Sequence, residues 1–202
     1  MVLNKAIKHV ISEEEYLQGE LLSEVKHELI DGEVYVMEGV SSNHVPIKGN
    51  VYRKLGNFSQ NLPCEPFSSD VKVKVGKNFF YPDVMVVCDE QTEHEHPYYS
   101  EFSTILVEVL SGSTRRVYQT IKRNAYQSIS YVQEYALIDQ DFVDVEVCRK
   151  RHAWLSQHYF LCNEFYLESI SIKFSIADIY QRVQNDGVIN YLQQQADFDA
   201  IQ

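Results

Sequence analysis

The chain has 202 residues, of which 45% are hydrophobic and 23% are charged, enough to build a substantial buried core. Acidic residues outnumber basic ones by 29 to 18, and the net charge of −11 argues against tight, sequence-independent binding to nucleic acid. No apolar stretch approaches the roughly 20 residues of a membrane span, and the N-terminus lacks the apolar segment of a signal peptide. We therefore expect a cytoplasmic protein without a membrane contact. We expect one domain over residues 1–202, with its core at about 12–180 and a frayed tail at 190–202.

The four cysteines are scattered along the chain and lack the Cys-x-x-Cys spacing of a structural zinc site. They are Cys64, Cys88, Cys148 and Cys162. In a domain of this size, such cysteines are typical of free, buried thiols in a reducing compartment. The sequence therefore predicts free thiols and no structural zinc.

The first elements in chain order are a short helix, a hairpin and a longer helix. Ser12 and Glu15 have the spacing of a capping box, which predicts a helix start. Asp31-Gly32 stands between two alternating segments and predicts a β-hairpin with a type I′ turn. In 41–62, apolar residues recur every three or four positions, which predicts a helix that begins at Ser42 or Asn43. Its apolar face comprises Ile47, Val51, Leu55 and Phe58.

Strands dominate the middle of the chain. The valines of VKVKV alternate with Lys72 and Lys74, which predicts a half-exposed strand. The denser apolar runs YPDVMVV and TILVEVL are typical of strands in the centre of a sheet. A helix capped by Ser113 or Thr114 should follow, with an apolar face of Val117, Ile121 and Ala125. Two more strands, EYALIDQ and VDVEVCRK, complete an α/β layered fold.

Each of the two central strands contains one carboxylate, Asp83 in the first and Glu108 in the second. If the strands pair, the carboxylates lie side by side, and two such neighbours cannot both ionise cheaply without a cation. Mg²⁺ or Mn²⁺ suits this arrangement, because these hard ions take one or two carboxylates together with water and phosphate oxygens. The alternative is structural: Pro82 begins a strand and Asp83 caps a turn.

The order of these motifs resembles the PD-(D/E)XK nuclease superfamily and, within it, the Uma-type restriction endonucleases. The match includes HELIDGEVYVM, SSNHVPI, PFSSDVKV, YPDVMVV, VEVLSGSTRR, Lys122, Tyr126, EYALID and SISIKFSIADIY, and it extends from about Ser12 to Tyr180. The resemblance implies a restriction-endonuclease-like mixed central sheet flanked by helices, with an N-terminal β-hairpin. It also implies a Mg²⁺- or Mn²⁺-dependent endonuclease that acts on DNA.

The resemblance also assigns site residues: Asp83 and Glu108 as metal ligands, with Lys122, Glu33 and His44 as further catalytic positions. The superfamily's lysine would stand at position 110, where this chain has Leu110, and Lys122 of the next helix is expected to replace it. Alternatively, Glu33 is a solvated hairpin residue, and His44 hydrogen-bonds a helix end without a catalytic role.

Other candidate residues have simpler explanations. Asp70 matches the family but is typical of a polar strand start. His94 and His96 resemble a metal-binding tract, although a flexible polar loop explains them better. Arg115, Arg116 and Arg123 predict a phosphate-facing strip or a solvated helix face.

Two functions therefore remain open, a metal-dependent endonuclease and a catalytically inactive nuclease-fold module that binds partners. Near Lys122, the chain has Tyr118 and Ile121 at positions where the resembling family usually has other residues. This difference and the net charge of −11 favour the second function. The 14 tyrosines and 10 phenylalanines predict a homodimer, because aromatic residues often anchor interfaces.

Overall fold

The computed structural model describes residues 10–37, 39–60, 62–88, 96–112 and 118–199. The helices are α1 (Glu13–Leu22), α2 (His44–Ser59), α3 (Arg123–Ser128), α4 (Ile176–Ile179) and α5 (Asp186–Asp199), and a π-helical turn, Tyr118–Lys122, leads into α3. The strands are β1 (His27–Ile30), β2 (Glu33–Val36), β3 (Glu65–Ser68), β4 (Lys72–Val75), β5 (Asn78–Phe80), β6 (Val84–Val87), β7 (Tyr99–Ser100), β8 (Ser103–Leu110), β9 (Glu134–Asp139), β10 (Val145–Arg149), β11 (Ser156–Tyr159), β12 (Glu164–Leu167) and β13 (Ile172–Ser175). Within these residues, no helix is both long enough and apolar enough to span a bilayer.

The strands form two large sheets and one small one. The main sheet has the order β11-β10-β9-β8-β6-β3, and the hairpin sheet has the order β2-β1-β5-β4-β7. Strands β8 and β9 are parallel, whereas the other pairs of the main sheet are antiparallel. The predicted α/β fold with a mixed sheet flanked by helices is thus confirmed. The additional finding is that the N-terminal hairpin belongs to a separate sheet that packs on the main one.

The predicted hairpin turn is confirmed. Asp31 and Gly32 have positive φ angles of 52° and 78°, as a type I′ turn requires. A Cβ atom at Gly32 would come within 2.1 Å of the Val10 side chain, so only glycine fits there. The turn fixes the register of β1 and β2, in which Glu28 lies opposite Tyr35.

The main sheet is buried on both faces. Helix α2 covers one face with Ile47, Val51 and Leu55, and its N-cap is Asn43, as predicted. The other face packs on α3 and the hairpin sheet through aromatic residues that include Phe80 and Tyr126. Helix α1, with the predicted capping box at Ser12, covers the far side of the hairpin sheet. The layers are therefore helix, main sheet, hairpin sheet and helix.

The prediction of free thiols is wrong for two of the four cysteines. Cys64 precedes β3 and Cys88 follows β6, and the two form a disulfide. Because Glu65 and Val87 are paired across these strands, the next residues outward are the two cysteines. Cys148 and Cys162 are free. The expectation of a reducing compartment was based on free thiols, and the disulfide removes that basis.

Two predictions about exposure are also wrong. Ile121 is 42% exposed, whereas Lys122 and Tyr126 are buried, so the inward face of this helix is shifted by one residue; Val117 lies outside the described residues. Lys72 is buried rather than half-exposed, because its Nζ donates to the Tyr81 hydroxyl at 3.1 Å and lies over the Tyr81 ring. The tail predicted to fray from residue 190 is helical through Asp199.

Candidate active site

The two strand carboxylates lie side by side, as the sequence predicts. Val84 pairs with Val107 in the antiparallel register of β6 and β8, and the same register places Asp83 opposite Glu108. Opposite residues on an antiparallel pair share one face of the sheet. Asp83 Oδ2 also accepts a hydrogen bond from the backbone N–H of Val109 at 2.8 Å. This bond ties the first carboxylate to the strand that carries the second.

His44 reaches the same site from the first turn of α2. Its Nε2 lies 2.7 Å from Asp83 Oδ1, and both side chains are buried. The backbone N–H of His44 donates to Ser41 Oγ at 3.2 Å. The imidazole thus holds the orientation of Asp83 instead of bonding a helix end.

Lys122 lies against the second carboxylate and forms a salt bridge with it. Its Nζ is 3.0 Å from Glu108 Oε1, although the side chain has no exposed surface. Tyr126, one helical turn further on, donates from its hydroxyl to the same Oε1 at 2.8 Å. Residues four apart share one helix face, so α3 and its preceding π turn present both donors together.

A third carboxylate, Glu28, completes the group, and the sequence analysis missed it. Glu28 Oε1 lies 2.8 Å from Lys122 Nζ and accepts from the backbone N–H of Tyr81 at 2.9 Å. One signal was present: in a strand, Glu28 and Ile30 point the same way, and Ile30 is a core residue. The ammonium of Lys122 is therefore shared by glutamates from two different sheets.

Among the described contacts, Glu33 does not touch this group. It pairs with Ile30 across the hairpin, and its Oε2 accepts from the Tyr35 hydroxyl at 3.1 Å. Asp70 also lies elsewhere and bonds Lys26.

The other basic and histidine candidates do not join it either. Arg123 binds Glu146 with two contacts of 2.7 Å, so it does not form a phosphate-facing strip. His96 stacks on Tyr99 with ring centroids 4.1 Å apart. His94, Arg115 and Arg116 lie outside the described residues.

The group has an excess of negative charge. Three carboxylates, Glu28, Asp83 and Glu108, face one ammonium, which leaves two formal negative charges when all are ionised. Burial raises the pKa of Glu108 to about 8; the Lys122 ammonium opposes this shift, and Asp83 and Glu28 reinforce it. A divalent cation between Asp83 and Glu108 would balance the excess.

The residues present fit such an ion. Mg²⁺ keeps several water ligands and is held by one or two carboxylates. Both donors to Glu108 reach Oε1, and no described donor reaches Oε2. In the described part of the chain, no three His, Cys, Asp or Glu side chains come together as a metal cage made by protein alone. With Asp83 and Glu108 as its two protein ligands, such an ion would take water and substrate oxygens at its other positions.

A cleft of about 580 Å³ opens at this point of the molecule. Glu28, His44 and Asp83 form part of its wall, and Glu108 and Lys122 are buried behind them. Strand β2 and the segment after it also line the cleft, with Tyr35 directly beside Glu28 in the hairpin. The acidic group thus lies where two sheets and a helix start meet.

The fold is that of a nuclease-like α/β protein. The chain belongs to the Uma2 family, described as "Putative restriction endonuclease", whose model matches residues 13–174. A solved structure titled as a putative nuclease belonging to DUF820, from Anabaena variabilis, has the same fold with a TM-score of 0.71. It is 18% identical and covers 86% of this chain and 99% of its own.

Two cyanobacterial relatives are similar over most of their length. The Synechocystis proteins slr1290 and sll1609, both named as uncharacterized, are each 31% identical to this chain. The first match covers 85% of this chain and 92% of the relative, and the second covers 86% and 98%.

Proposed function

We propose that this protein is a Mg²⁺- or Mn²⁺-dependent endonuclease that hydrolyses phosphodiester bonds in DNA. The observation that carries the proposal is the juxtaposition of Asp83, at the wall of a cleft, with Glu108 buried directly behind it and bonded to the Lys122 ammonium. Membership of the Uma2 family supports a nuclease.

Asp83 and Glu108 would hold the ion, which when bound activates water and stabilises charge on the phosphate. His44 keeps Asp83 oriented through the 2.7 Å contact. Glu28 and Tyr126 fix Lys122 and Glu108 from the other side.

Lys122 is a positioning residue in this arrangement. It has no exposed surface, so it acts through Glu108 and through its charge, which is weakly screened in the interior. Its burial supports this positioning role instead of the catalytic role that the resemblance implies.

The first test is cleavage of plasmid DNA by the purified chain with Mg²⁺ or Mn²⁺. We expect nicking that disappears with EDTA and in Asp83→Ala and Glu108→Ala. Glu164→Ala is the matched control, because this exposed glutamate pairs only with Lys173 among the described residues and lies outside the cleft. Equal nicking by all three variants would mean a contaminating nuclease and would refute the proposal.

A second candidate function is an inactive nuclease-fold module. The observations that favour it are the net charge of −11 and the Lys122 ammonium, which lies between two glutamates as a cation already in place. Calorimetry with Mn²⁺ separates the two functions. An endonuclease should bind Mn²⁺ in an Asp83-dependent way, whereas an inactive module should not.

We also propose a homodimer. Its support is the exposure of aromatic residues on the surface: Tyr98, Phe160 and Tyr166 are each about half exposed. Light scattering should give twice the mass of one chain, and a monomeric mass at about tens of micromolar would contradict the proposal.

A further inference from the structure

We propose that Lys26, Lys48 and Ser69 form an anion site beside the cleft, which binds a backbone phosphate of the DNA substrate next to the phosphate that is cleaved. This inference rests on the proposed function, because it names residues that hold the substrate of the same site. It starts from two lysines that the proposed chemistry does not use.

Two ammonium groups from different parts of the fold meet at Ser69, in the connection between β3 and β4. Lys26 directly precedes β1, and its Nζ donates to the carbonyl oxygen of Ser69 at 2.7 Å. Lys48 lies in α2, and its Nζ donates to the hydroxyl of the same serine at 3.2 Å. Because like charges repel, an anion that contacts both groups is stabilised there. In a protein with a net charge of −11, this pair of cations is a local site of attraction for an anion.

The carboxylates near these lysines balance their charge only weakly. In the described part of the chain, no carboxylate lies within ion-pair distance of Lys48, and its hydrogen bond goes to a neutral hydroxyl. Lys26 pairs with Asp70, but the side chain of Asp70 is 82% exposed and that of Lys26 is 42% exposed. An ion pair so exposed contributes little stability, so a phosphate can replace the Asp70 carboxylate at Lys26. Both ammonium groups are therefore available to an anion.

Two features connect this pair of lysines with the acidic group. The Ser69 hydroxyl, which accepts from Lys48, donates to the backbone carbonyl of Asp83 at 3.3 Å. Lys48 also follows His44 by about one helical turn, so the two side chains lie on the same face of α2. His44 lines the cleft and contacts the Asp83 carboxylate. The anion site therefore lies next to the residue that would hold the ion.

Lys26 lies beside the cleft as well. Its Nζ is 5.5 Å from the centroid of the Tyr81 ring, and Tyr81 lines the cleft. Consecutive phosphates of one DNA strand follow each other at about 3.4 Å along the helix axis. A strand whose scissile phosphate meets the ion at Asp83 therefore brings a neighbouring phosphate close to Ser69. The long, flexible lysine side chains allow both ammonium groups to reach it.

The test is fluorescence anisotropy of the full chain with a labelled DNA duplex, with Ca²⁺ at a fixed concentration in place of Mg²⁺ to permit binding without turnover. The affinity is measured at several KCl concentrations, because each lysine that neutralises a phosphate contributes about 0.9 to the slope of log affinity against log salt. We expect Lys48→Met to weaken binding about threefold and to lower the slope by about 0.9. The double variant, Lys26→Met with Lys48→Met, should lower it by about 1.8. Lys48→Arg keeps the charge and should retain the slope of the wild-type protein.

Lys54→Met is the matched control. Lys54 lies in the same helix, but its Nζ pairs with the Asp178 carboxylate at 3.3 Å, so its charge is already balanced within the protein. Its loss should leave the slope unchanged. An unchanged slope in the double variant, even with weaker binding, would overturn the inference, as would an equal fall in Lys54→Met. Displacement of the DNA by inorganic phosphate at the same concentration of phosphate groups would indicate a site for small anions and would also overturn it.

These outcomes are separable from failure of the proposed function. Asp83-dependent cleavage of DNA, together with an unchanged salt slope in the double variant, would overturn this inference and leave the endonuclease proposal intact. A salt slope that depends on the two lysines, in a protein that cleaves no DNA, would support the inference as a binding property and refute the endonuclease.

Discussion

Two glutamates are buried on adjacent strands of the main sheet, and their surroundings differ. Glu134 on β9 accepts four hydrogen bonds, which come from Arg149 Nε, the Ser169 hydroxyl and the backbone N–H groups of Glu168 and Ser169. Glu108 on β8 accepts two, from Lys122 and Tyr126. Arg149 also has further acceptors in Gln157 and the carbonyl of Tyr166.

The difference separates a structural ion pair from a candidate site. Around Glu134 the donors reach both carboxylate oxygens. The Glu134 carboxylate thereby holds the backbone of Glu168 and Ser169 against the main sheet. Around Glu108 there are three carboxylates for one ammonium, and burial raises the pKa of Glu108 to about 8. The raised pKa means that the ionised form of Glu108 is unfavourable in this surrounding, and a bound cation would stabilise that form.

The largest effect we expect is on stability, from Glu134→Ala. It leaves the Arg149 guanidinium buried without its main carboxylate, which should cost about 3–5 kcal/mol in the free energy of unfolding. Urea denaturation measures this change. A loss below about 1 kcal/mol would show that Glu134 is not the structural partner that the hydrogen bonds indicate.

The second prediction concerns Lys122→Met. Loss of the ammonium should slow DNA cleavage by about 10²-fold, because Glu108 is no longer held. The affinity for Mn²⁺, measured by calorimetry, should stay within a few-fold, since both proposed ligands remain.

Lys74→Met is the control for Lys122→Met. Lys74 is a half-buried lysine paired with Glu13 and Glu101, away from the cleft. Unchanged turnover in Lys122→Met, or an equal loss in both variants, would remove Lys122 from the mechanism.

The third prediction is smaller. Tyr126→Phe removes one donor to Glu108 and keeps the buried ring, so the free energy of unfolding should fall by about 1 kcal/mol. Cleavage should slow less than in Lys122→Met. A larger kinetic effect from Tyr126→Phe than from Lys122→Met would assign the main positioning role to the tyrosine.

The smallest expected change is the stability of Glu108→Gln in the absence of metal. Lys122 keeps Glu28 as its partner, so the loss should be below about 1 kcal/mol, in contrast to Glu134→Ala. Metal ions should raise the Tm of the wild-type protein but not that of Glu108→Gln. A loss as large as that of Glu134→Ala would erase the distinction between the two glutamates.

Local signals in the sequence predicted a good part of this arrangement. Asp31-Gly32 specified the hairpin turn, and the carboxylates of two successive apolar strands predicted the Asp83–Glu108 neighbourhood. The salt bridge from Lys122 followed from the resemblance and the helix that comes after β8.

The remaining features depend on how the sheets meet. Glu28 joins the site only because the hairpin sheet packs on α3. A local sequence pattern does not predict this packing. The disulfide of Cys64 and Cys88 depends on the register of β3 and β6. Lys122 is buried and Ile121 is exposed, because the ion pairs of Lys122 with Glu28 and Glu108 outweigh the apolar periodicity of the helix.

The origin of the site residues in separate elements has a consequence for folding. Glu28, His44, Asp83, Glu108 and Lys122 come from five segments spread over the first two-thirds of the chain. Contacts between residues so distant in sequence form slowly, and they form only after the intervening loops have closed. A nascent chain on the ribosome therefore carries no assembled acidic group until Lys122 has emerged and the two sheets have docked. The acidic group can therefore form only after at least the first 122 residues have been synthesised.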